Sequence, residues 1–214
     1  EDLRRLLECL ERPIDTDHRL LFVDDGSDDP RVPTMLSDFR NKHPGRTTIE
    51  KFPHNRGFVA AVNRGFELAR DTGHHVILLN TDTLPPDGWA ERLLAPILSD
   101  ADVASVTPVS NTAEIASIPA QGVETRISTA LVEEVDSVAR RLGSGLPRVE
   151  LPTGIGFAMA INRRFLDKIG GFDPVFGRGY GEEVDWCHRA RAAGGHHVLA
   201  TSVFIGHRGG ASFG

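Results

Sequence analysis

The sequence is poor in cysteine, has no long apolar run and carries no excess of positive charge. Its two cysteines, Cys9 and Cys187, lie far apart, which excludes a metal-finger spacing and a disulfide framework and favours two reduced thiols in a cytoplasmic protein. No run approaches the ~18 apolar residues of a membrane helix, and no signal-peptide pattern opens the chain. The 24 basic side chains are outnumbered by 30 acidic ones, so we expect no nucleic-acid partner.

What the sequence does contain is the alternation typical of an α/β domain. Of its 214 residues, 40% are hydrophobic and 25% are charged, which suits one substantial globular domain. Short apolar runs alternate with longer helical patterns, and this order predicts βαβ units with a mostly parallel sheet. The predicted strands are 18–23, 47–52, 75–80, 102–110, 156–161 and 196–207, and the predicted helices are 1–12, 33–43, 57–70, 87–100, 127–142, 162–169 and 181–195.

Polar side chains follow two of the predicted strands where each one ends. Asp24 and Asp25 follow the first strand, and Asn80 and Asp82 follow the strand at 75–80. In an open parallel sheet, ligands bind beyond the carboxyl ends of the strands. Hard oxygen ligands favour Mg²⁺ or Mn²⁺, and a metal held by few carboxylates completes its shell with water and substrate phosphates. Turn formation alone would explain either stretch singly, but the two together favour a nucleotide-diphosphate site.

A second group of acids opens the last predicted helix. Glu182, Glu183 and Asp185 stand in its first turn, after a segment with glycine at every second position of 177–181. Acids at a helix N-terminus stabilise the helix, which explains one or two of them. Crowded carboxylates also have raised pKa values, which suits a general base. His207 follows an apolar strand, with Gly206 before it and Gly209 and Gly210 after it. It is a further candidate site residue.

Two nucleotide-binding fingerprints are absent or broken. The chain has no GxxxxGK[ST] loop, which excludes a P-loop NTPase. The stretch "GIGFAM" nearly matches the dinucleotide motif GxGxxG/A, but Met159 breaks it. We therefore interpret residues 154–159 as a loop that enters a strand, and a dinucleotide oxidoreductase is not favoured.

Six motifs in order resemble a family 2 glycosyltransferase of the GT-A fold, with greatest similarity to a bacterial rhamnosyltransferase-like group. They are "VDDGSDD", "NRGFVAAVNRG", "LLNTDTLPPDGW", "VTPVSN", "GFAMAINRRFLDKIGGFDPVFGRGYGEEVDWCHRARAAG" and "HRGGASFG". The resemblance implies a Rossmann-like αβα sandwich in one domain, with a nucleotide-binding part at about 1–110 and an acceptor-binding part at about 111–214. It also implies inverting transfer of a sugar from a dTDP- or UDP-linked donor to a hydroxyl of a saccharide or lipid-linked acceptor. That reaction would serve cell-surface glycan synthesis in the cytoplasm, at the inner face of the membrane with peripheral association.

The same resemblance implies roles for the donor side. Asp24 and Asp25 would face the nucleotide base and ribose, and Arg56 would lie near the nucleotide. The triplet Asn80-Thr81-Asp82 stands at the family's DxD position. Asp82 would bind the metal and the diphosphate, and His207 would be a further metal or diphosphate contact.

On the acceptor side, Glu183 stands where the family has an aspartate, and it would deprotonate the acceptor hydroxyl. Glu182 or Asp185 remain alternatives for that role. The residues expected to contact the acceptor are Gly154, Glu182, Asp185 and Trp186.

The chain departs from the family pattern in two further ways. Asn80 replaces a first aspartate, so one carboxylate would hold the metal, and weak metal binding is expected without donor phosphates. The family's first strand is not found before Glu1, so we expect a fragment that lacks this strand. A non-catalytic nucleotide-sugar or saccharide-binding module is therefore the alternative function, and the oligomeric state stays open.

Overall fold

Helices cover both faces of a β-sheet in the computed structural model, which describes residues 1–12, 18–120, 125, 127–143 and 145–209. Each predicted helix and strand is present, with end points shifted by a few residues. None of the described helices is both long and apolar enough to cross a membrane. The helices are α1 (Asp2–Leu10), α2 (Arg31–Lys42), α3 (Phe58–Ala69), α4 (Trp89–Ser99), α5 (Thr129–Gly143), α6 (Arg163–Ile169) and α7 (Glu182–Ala192). The strands are β1 (Leu20–Asp24), β2 (Thr47–Lys51), β3 (Val76–Leu79), β4 (Thr83–Leu84), β5 (Val103–Val109), β6 (Val149–Leu151), β7 (Ala158–Ile161), β8 (His196–Phe204) and β9 (Gly206–His207).

The described strands form one large sheet and two strand pairs. The large sheet has five strands in the order β3-β7-β5-β8-β6, while β1 pairs with β2 and β4 pairs with β9. Strands β3, β5 and β8 run in one direction, whereas β6 and β7 run against them, so the sheet is mixed. Every residue of β5 is buried, as expected of a strand covered on both faces.

The two faces of the sheet bury different helices. Along β3, Ile77 and Leu79 join the core formed with α1, α2 and α4. Val76 and Leu78 point the other way and join the core formed with α3, α6 and α7. Successive side chains of a strand lie on opposite faces, so an unbroken apolar run in β3 serves both cores. This arrangement confirms the predicted αβα sandwich.

The sheet is interrupted between β1 and β3. Among the described strands, β1 pairs only with β2, and β3 pairs only with β7. Side chains from both strands, including Phe22 and Leu79, nevertheless pack against one core. Four of the five residues of β1 and all four of β3 are only partly buried. That a further family strand belongs with this sheet stays a prediction.

Two short strands, β4 and β6, were not predicted, and the strand predicted at 196–207 divides into β8 and β9. Strand β6 extends the edge of the large sheet beside β8. Strands β4 and β9 pair antiparallel, with Thr83 opposite His207 and Leu84 opposite Gly206. Strands this short give no readable periodicity in the sequence. The β4–β9 pair places the residues after β3 beside the end of the chain's last strand.

Candidate active site

Asp82 and His207 lie together because of the β4–β9 pair. Asp82 immediately precedes β4, and its backbone carbonyl accepts a hydrogen bond from Arg208 N at 3.0 Å. His207 Nε2 lies 3.4 Å from Asp82 Oδ1, an ion-pair distance without hydrogen-bond geometry. Asp82 is 3% exposed, and its Oδ1 is a buried oxygen with no hydrogen-bond partner among the described residues. A buried carboxylate oxygen left this way is open to a ligand.

The imidazole of His207 is held in one orientation. Its Nδ1 lies 2.6 Å from the carbonyl oxygen of Thr112, and since a carbonyl only accepts, Nδ1 carries the proton. The ring stacks on Phe157 with a centroid distance of 4.8 Å. Asn111 clamps the backbone of His207, because its Oδ1 accepts from His207 N at 2.8 Å and its Nδ2 donates to His207 O at 2.7 Å. This leaves Nε2 directed at Asp82.

These two side chains fit a divalent cation that completes its shell elsewhere. A metal-ligating histidine characteristically donates its other ring N–H to a carbonyl or carboxylate, as His207 does to Thr112. Burial raises the pKa of Asp82, but His207 nearby outweighs it and holds that pKa below its usual value, so the carboxylate is ionised. Among the described residues no group of three or more His, Cys, Asp or Glu could hold a metal. A cation here would therefore need water or phosphate oxygens as well.

Asp24 and Asp25 are both engaged by backbone amides. Asp24 Oδ1 accepts from Ser27 N at 2.8 Å. The carboxylate of Asp25 accepts from Arg56 N at 2.7 Å and from Gly57 N at 2.8 Å, at the start of α3. Asp25 thus ties the end of β1 to the N-terminus of α3. Its predicted contact with a nucleotide base and ribose stays a prediction.

Arg56 lies at the turn whose backbone amides bind Asp25. Its guanidinium lies 4.7 Å from the centroid of the Phe52 ring, a cation–π distance. This contact places the charge beside the turn that Asp25 stabilises. The predicted role of Arg56 near the nucleotide is compatible with this placement and stays a prediction.

Glu182 and Glu183 form a pair of carboxyl groups at the start of α7. Glu182 is 3% exposed, and one oxygen of each side chain is buried with no hydrogen-bond partner among the described residues. Burial raises the pKa of Glu182 to about 7, and the neighbouring charge of Glu183 and a hydrogen bond to it add to the rise. A buried acid pair that holds one proton near neutral pH suits proton transfer.

The loop before β7 connects the acid pair to the Asp82–His207 pair. A Cβ built on Gly156 would lie 3.5 Å from Glu183 Oε1, so glycine leaves room beside that carboxylate. The next residue, Phe157, stacks on His207, and its carbonyl accepts from Asn80 N at 2.8 Å. Two consecutive residues therefore contact both halves of the candidate site. The interpretation of residues 154–159 as a loop entering a strand is correct.

Three of the four residues expected to contact the acceptor are buried: Glu182, described above, and also Trp186 and Gly154. Trp186 has no exposed surface, and its indole N–H donates to Gly170 O at 2.9 Å. Gly154 is buried, and its N–H points at Cys187 Sγ, 3.1 Å away. Both residues therefore support the packing of α7 rather than offer a surface. Asp185 accepts from Arg189 Nε at 2.8 Å, which occupies part of its carboxylate.

A buried polar network underlies the same loop and helix. Ser105 Oγ lies 2.7 Å from His197 Nδ1, and His197 Nε2 lies 3.1 Å from Cys187 O. Burial lowers the pKa of His197 to about 4 and raises that of Cys187 to about 11, so both side chains are neutral. Because the thiol is protonated and enclosed, it is not a nucleophile. The prediction of two reduced buried cysteines agrees with the free, buried Cys9 and Cys187.

Replacement of Glu182 by glutamine is expected to stabilise the fold at pH 8 but not at pH 5. The folded pKa of about 7 exceeds the ordinary 4.5, so the stability from this group is complete below pH 4.5 and is lost as pH rises through 7. That loss is about 3 kcal/mol in the parent, and glutamine, which does not ionise, avoids it. Urea unfolding at both pH values measures the difference. Glu134→Gln, exposed on α5, is the control, and parallel stability curves for parent and Glu182→Gln would contradict the expectation.

Three supporting residues were not predicted: Asn111, Thr112 and Phe157. Asn111 ends the motif "VTPVSN" after β5, so it shares the pattern of a polar residue after a strand. Thr112 acts through its backbone, which no side-chain pattern reveals. Phe157 looks like an ordinary core residue in the sequence. Only its ring contact with His207 distinguishes it from other core residues.

Comparison with known proteins places this chain in a family. The sequence model of "Glycosyl transferase family 2" matches residues 1–170. A "Pre-mycofactocin glycosyltransferase" of Mycobacterium tuberculosis is 32% identical over 208 residues, which cover 96% of this chain and 39% of that relative. The chain thus spans well under half the length of this curated relative.

Solved structures share the fold at low sequence identity. Mannosyltransferase PcManGT from Pyrobaculum calidifontis, in complex with GDP-Man and Mn²⁺, has a TM-score of 0.68 at 19% identity, covering 98% of this chain and 54% of its own. GalNAc-T7 with UDP, GalNAc and Mn²⁺ has a TM-score of 0.67 at 17% identity, covering 88% of this chain and 37% of its own. These likenesses establish the GT-A fold. Because the family model also matches most of the sequence, the chain belongs to glycosyl transferase family 2.

Proposed function

We propose that this chain is the catalytic domain of an inverting glycosyltransferase. It moves a sugar from a nucleotide-diphosphate sugar to a hydroxyl of a saccharide or lipid-linked acceptor, with Mg²⁺ or Mn²⁺ as the cofactor. The observation that carries the proposal is the pairing of Asp82 with His207 on one side of Gly156–Phe157 and of Glu182 with Glu183 on the other. The first pair suits a metal and diphosphate, and the second suits a proton acceptor.

In this mechanism each half of the site has a separate task. Asp25 holds the start of α3 in place for the nucleotide through Arg56 N and Gly57 N. Asp82 and His207 are the residues that would hold the cation and the diphosphate end of the donor. When bound, a divalent cation offsets the charge that develops on the departing diphosphate.

Glu183 takes the proton of the acceptor hydroxyl as that hydroxyl attacks the anomeric carbon. The attack comes from the face opposite the diphosphate, so the configuration at this carbon is inverted. Glu182 is buried beside it and controls the protonation of the pair. Glu183 Oε1 lies beside Gly156, where the missing Cβ leaves room for the acceptor hydroxyl.

Asp82→Asn is expected to weaken metal-dependent nucleotide binding. Asparagine keeps the shape of the side chain but removes the negative charge that a hard cation requires. With Mn²⁺ present, the dissociation constants of UDP, GDP and dTDP should rise at least about tenfold, and binding without metal should change little. Calorimetric titration of each nucleotide, with Mn²⁺ and with EDTA, measures this effect. Asp71→Asn, an exposed aspartate after α3, is the matched control.

A donor-hydrolysis assay separates the enzyme from a non-catalytic module. Release of UDP, GDP or dTDP from its sugar conjugate in the presence of Mn²⁺ supports the transferase. Metal-dependent nucleotide binding without turnover in any donor would instead support a nucleotide-sugar-binding module. Equal nucleotide affinity with and without metal in the parent chain would overturn the role given to Asp82.

The finer assignments form part of the same proposal. The similarity of the motifs to rhamnosyltransferases favours a dTDP-linked donor over a UDP-linked one. The nucleotide-binding part at about 1–110 and the acceptor-binding part at about 111–214 form one domain, because His207 from the second part meets Asp82 from the first. The acceptor belongs to cell-surface glycan synthesis, carried out in the cytoplasm at the inner face of the membrane with peripheral association.

A further inference from the structure

Tyr180 combines an exposed ring with an unfavourable backbone conformation. It has φ +74°, and among the described residues only Glu114 is another non-glycine residue with positive φ. Its side chain is 73% exposed, and it is the only tyrosine in the sequence. Positive φ is disfavoured for any residue with a Cβ, and for a bulky aromatic it is a genuine outlier. Such strain at an exposed position points to a functional constraint.

The loop that carries Tyr180 is anchored at both ends. A Cβ built on Gly57 would lie 3.0 Å from Arg178 Cα and 3.2 Å from Gly177 O, so the loop rests on the turn that holds Asp25. A Cβ built on Gly181 would lie 3.1 Å from the ring of Phe176, which packs on the core beneath α7. The loop therefore joins the donor-side turn to the Glu182–Glu183 pair, with Tyr180 two residues before Glu182.

Burial gives little reason for an aromatic residue at position 180. Its neighbours Gly179 and Gly181 also have positive φ, and glycine or asparagine would suit position 180 without strain. With about three quarters of its surface exposed, the ring contributes little buried area to offset that cost. An exposed aromatic side chain thus stands two residues before Glu182 on a backbone conformation that it disfavours.

We propose that Tyr180 is an acceptor-binding residue whose ring stacks on the apolar face of the acceptor sugar next to the proton acceptor. Pyranose rings present C–H groups on one face, and a rigid amphipathic aromatic side chain suits them at low entropic cost. The inference rests on the proposed transferase function. It assigns the stacking contact to the acceptor and not to the donor nucleotide, because Tyr180 lies two residues before Glu182 at the start of α7, whereas Asp25 is bound at Gly57 on the donor side.

A fluorine label tests the contact independently of turnover. Because the chain has one tyrosine, incorporation of 3-fluorotyrosine labels Tyr180 alone. Methyl β-D-glucopyranoside, methyl β-D-galactopyranoside and methyl α-L-rhamnopyranoside are titrated with UDP and Mn²⁺ present, and glycerol serves as a control without a sugar ring. At least one glycoside should shift the fluorine signal in a saturable manner while glycerol does not. No saturable shift with any of the three would overturn the proposal.

Kinetics of matched variants then separate the acceptor from the donor. Tyr180→Asn removes the ring but tolerates positive φ, so the melting temperature should stay level or rise. The KM for the glycoside that accepts sugar should increase about tenfold, with donor hydrolysis unchanged. Tyr180→Phe should match the parent, and Val175→Asn, at a 78% exposed position in the same segment, should change nothing.

The outcomes distinguish the two levels of inference. Donor hydrolysis with an unchanged acceptor KM in Tyr180→Asn overturns the role of Tyr180 and leaves the transferase intact. A rise in the KM of the donor instead would place the ring at the nucleotide sugar and also overturn the assignment. Absence of donor hydrolysis in the parent contradicts the transferase itself, whereas the fluorine titration still reports on saccharide binding.

Discussion

Replacing Glu183 by glutamine is expected to lower sugar transfer by about 10²–10⁴-fold and to leave donor binding nearly unchanged. Glutamine keeps the size of the side chain but cannot accept a proton from the acceptor hydroxyl. The side chain lies beside Gly156, whose missing Cβ leaves space next to Oε1. The other oxygen, Oε2, is buried without a hydrogen-bond partner among the described residues. Steady-state transfer rates and calorimetric titration of the donor nucleotide measure the two effects.

Two neighbouring variants decide which acid is the base. Asp185→Asn is expected to have a small effect, because Asp185 is already paired with Arg189 at 2.8 Å. Glu134→Gln, exposed on α5, should leave transfer at the parent rate. Near-normal turnover in Glu183→Gln, or a larger loss in Asp185→Asn, would show that the assignment of Glu183 is wrong.

The same acid pair predicts how transfer depends on pH. Burial, with the charge of Glu183, raises the pKa of Glu182 to about 7, so transfer should increase as pH rises through about 7 and the pair loses its proton. In Glu182→Gln that limb of the profile should no longer lie near pH 7, because glutamine does not ionise. A purely structural role for Glu182 would change the rate without moving the limb.

Asp136→Ala is expected to reduce the free energy of unfolding by about 3–5 kcal/mol, because it leaves buried partners without their acceptor. Asp136 is 1% exposed and accepts from Arg92 at 2.8 and 3.0 Å and from Arg140 at 3.2 Å. It also accepts from Phe204 N at 2.9 Å, three residues before His207. The carboxylate thus joins α4, α5 and the end of β8, and its loss should also weaken Mn²⁺-dependent nucleotide binding through His207.

Urea unfolding measures the loss of stability, and the neighbouring residue provides a control. Ser137 is exposed on the same helix, so Ser137→Ala should change stability by no more than about 0.5 kcal/mol. A loss below about 1 kcal/mol in Asp136→Ala would mean that solvent or a rearranged side chain replaces the carboxylate. In that case the contacts of Asp136 would not hold α5 against the end of β8.

Much of the fold was predicted from the spacing of apolar residues, because burial on one or both faces of an element sets that spacing. The unbroken run of β3 and the helical spacing in α3 and α4 reflect which side chains face the two cores, so these elements were predicted with correct types. The short strand β4 was not predicted, and β9 was not separated from the strand predicted at 196–207, since two residues carry no period. Periodicity alone therefore does not predict the β4–β9 pair that brings Asp82 and His207 together.

The candidate site residues likewise divide into those that the sequence predicts and those that only the structure reveals. The motifs alone were enough to single out Asp82, Glu183 and His207 and to indicate the family, because the chemistry restricts which side chains can stand there. Trp186 shows the limit: a position in a conspicuous motif is fully buried, and burial depends on what packs against a helix.

The sequence by itself determined the αβα arrangement, the family and the chemical types of the site residues, because hydrophobic periodicity and motif order are local properties of the chain. Only the tertiary structure decided that Thr112 O fixes the tautomer of His207, that Glu182 is buried beside Glu183, and that Tyr180 holds its ring outward at φ +74°. Hydrogen-bond direction, burial and backbone strain arise from contacts between segments distant in sequence, so no local pattern records them.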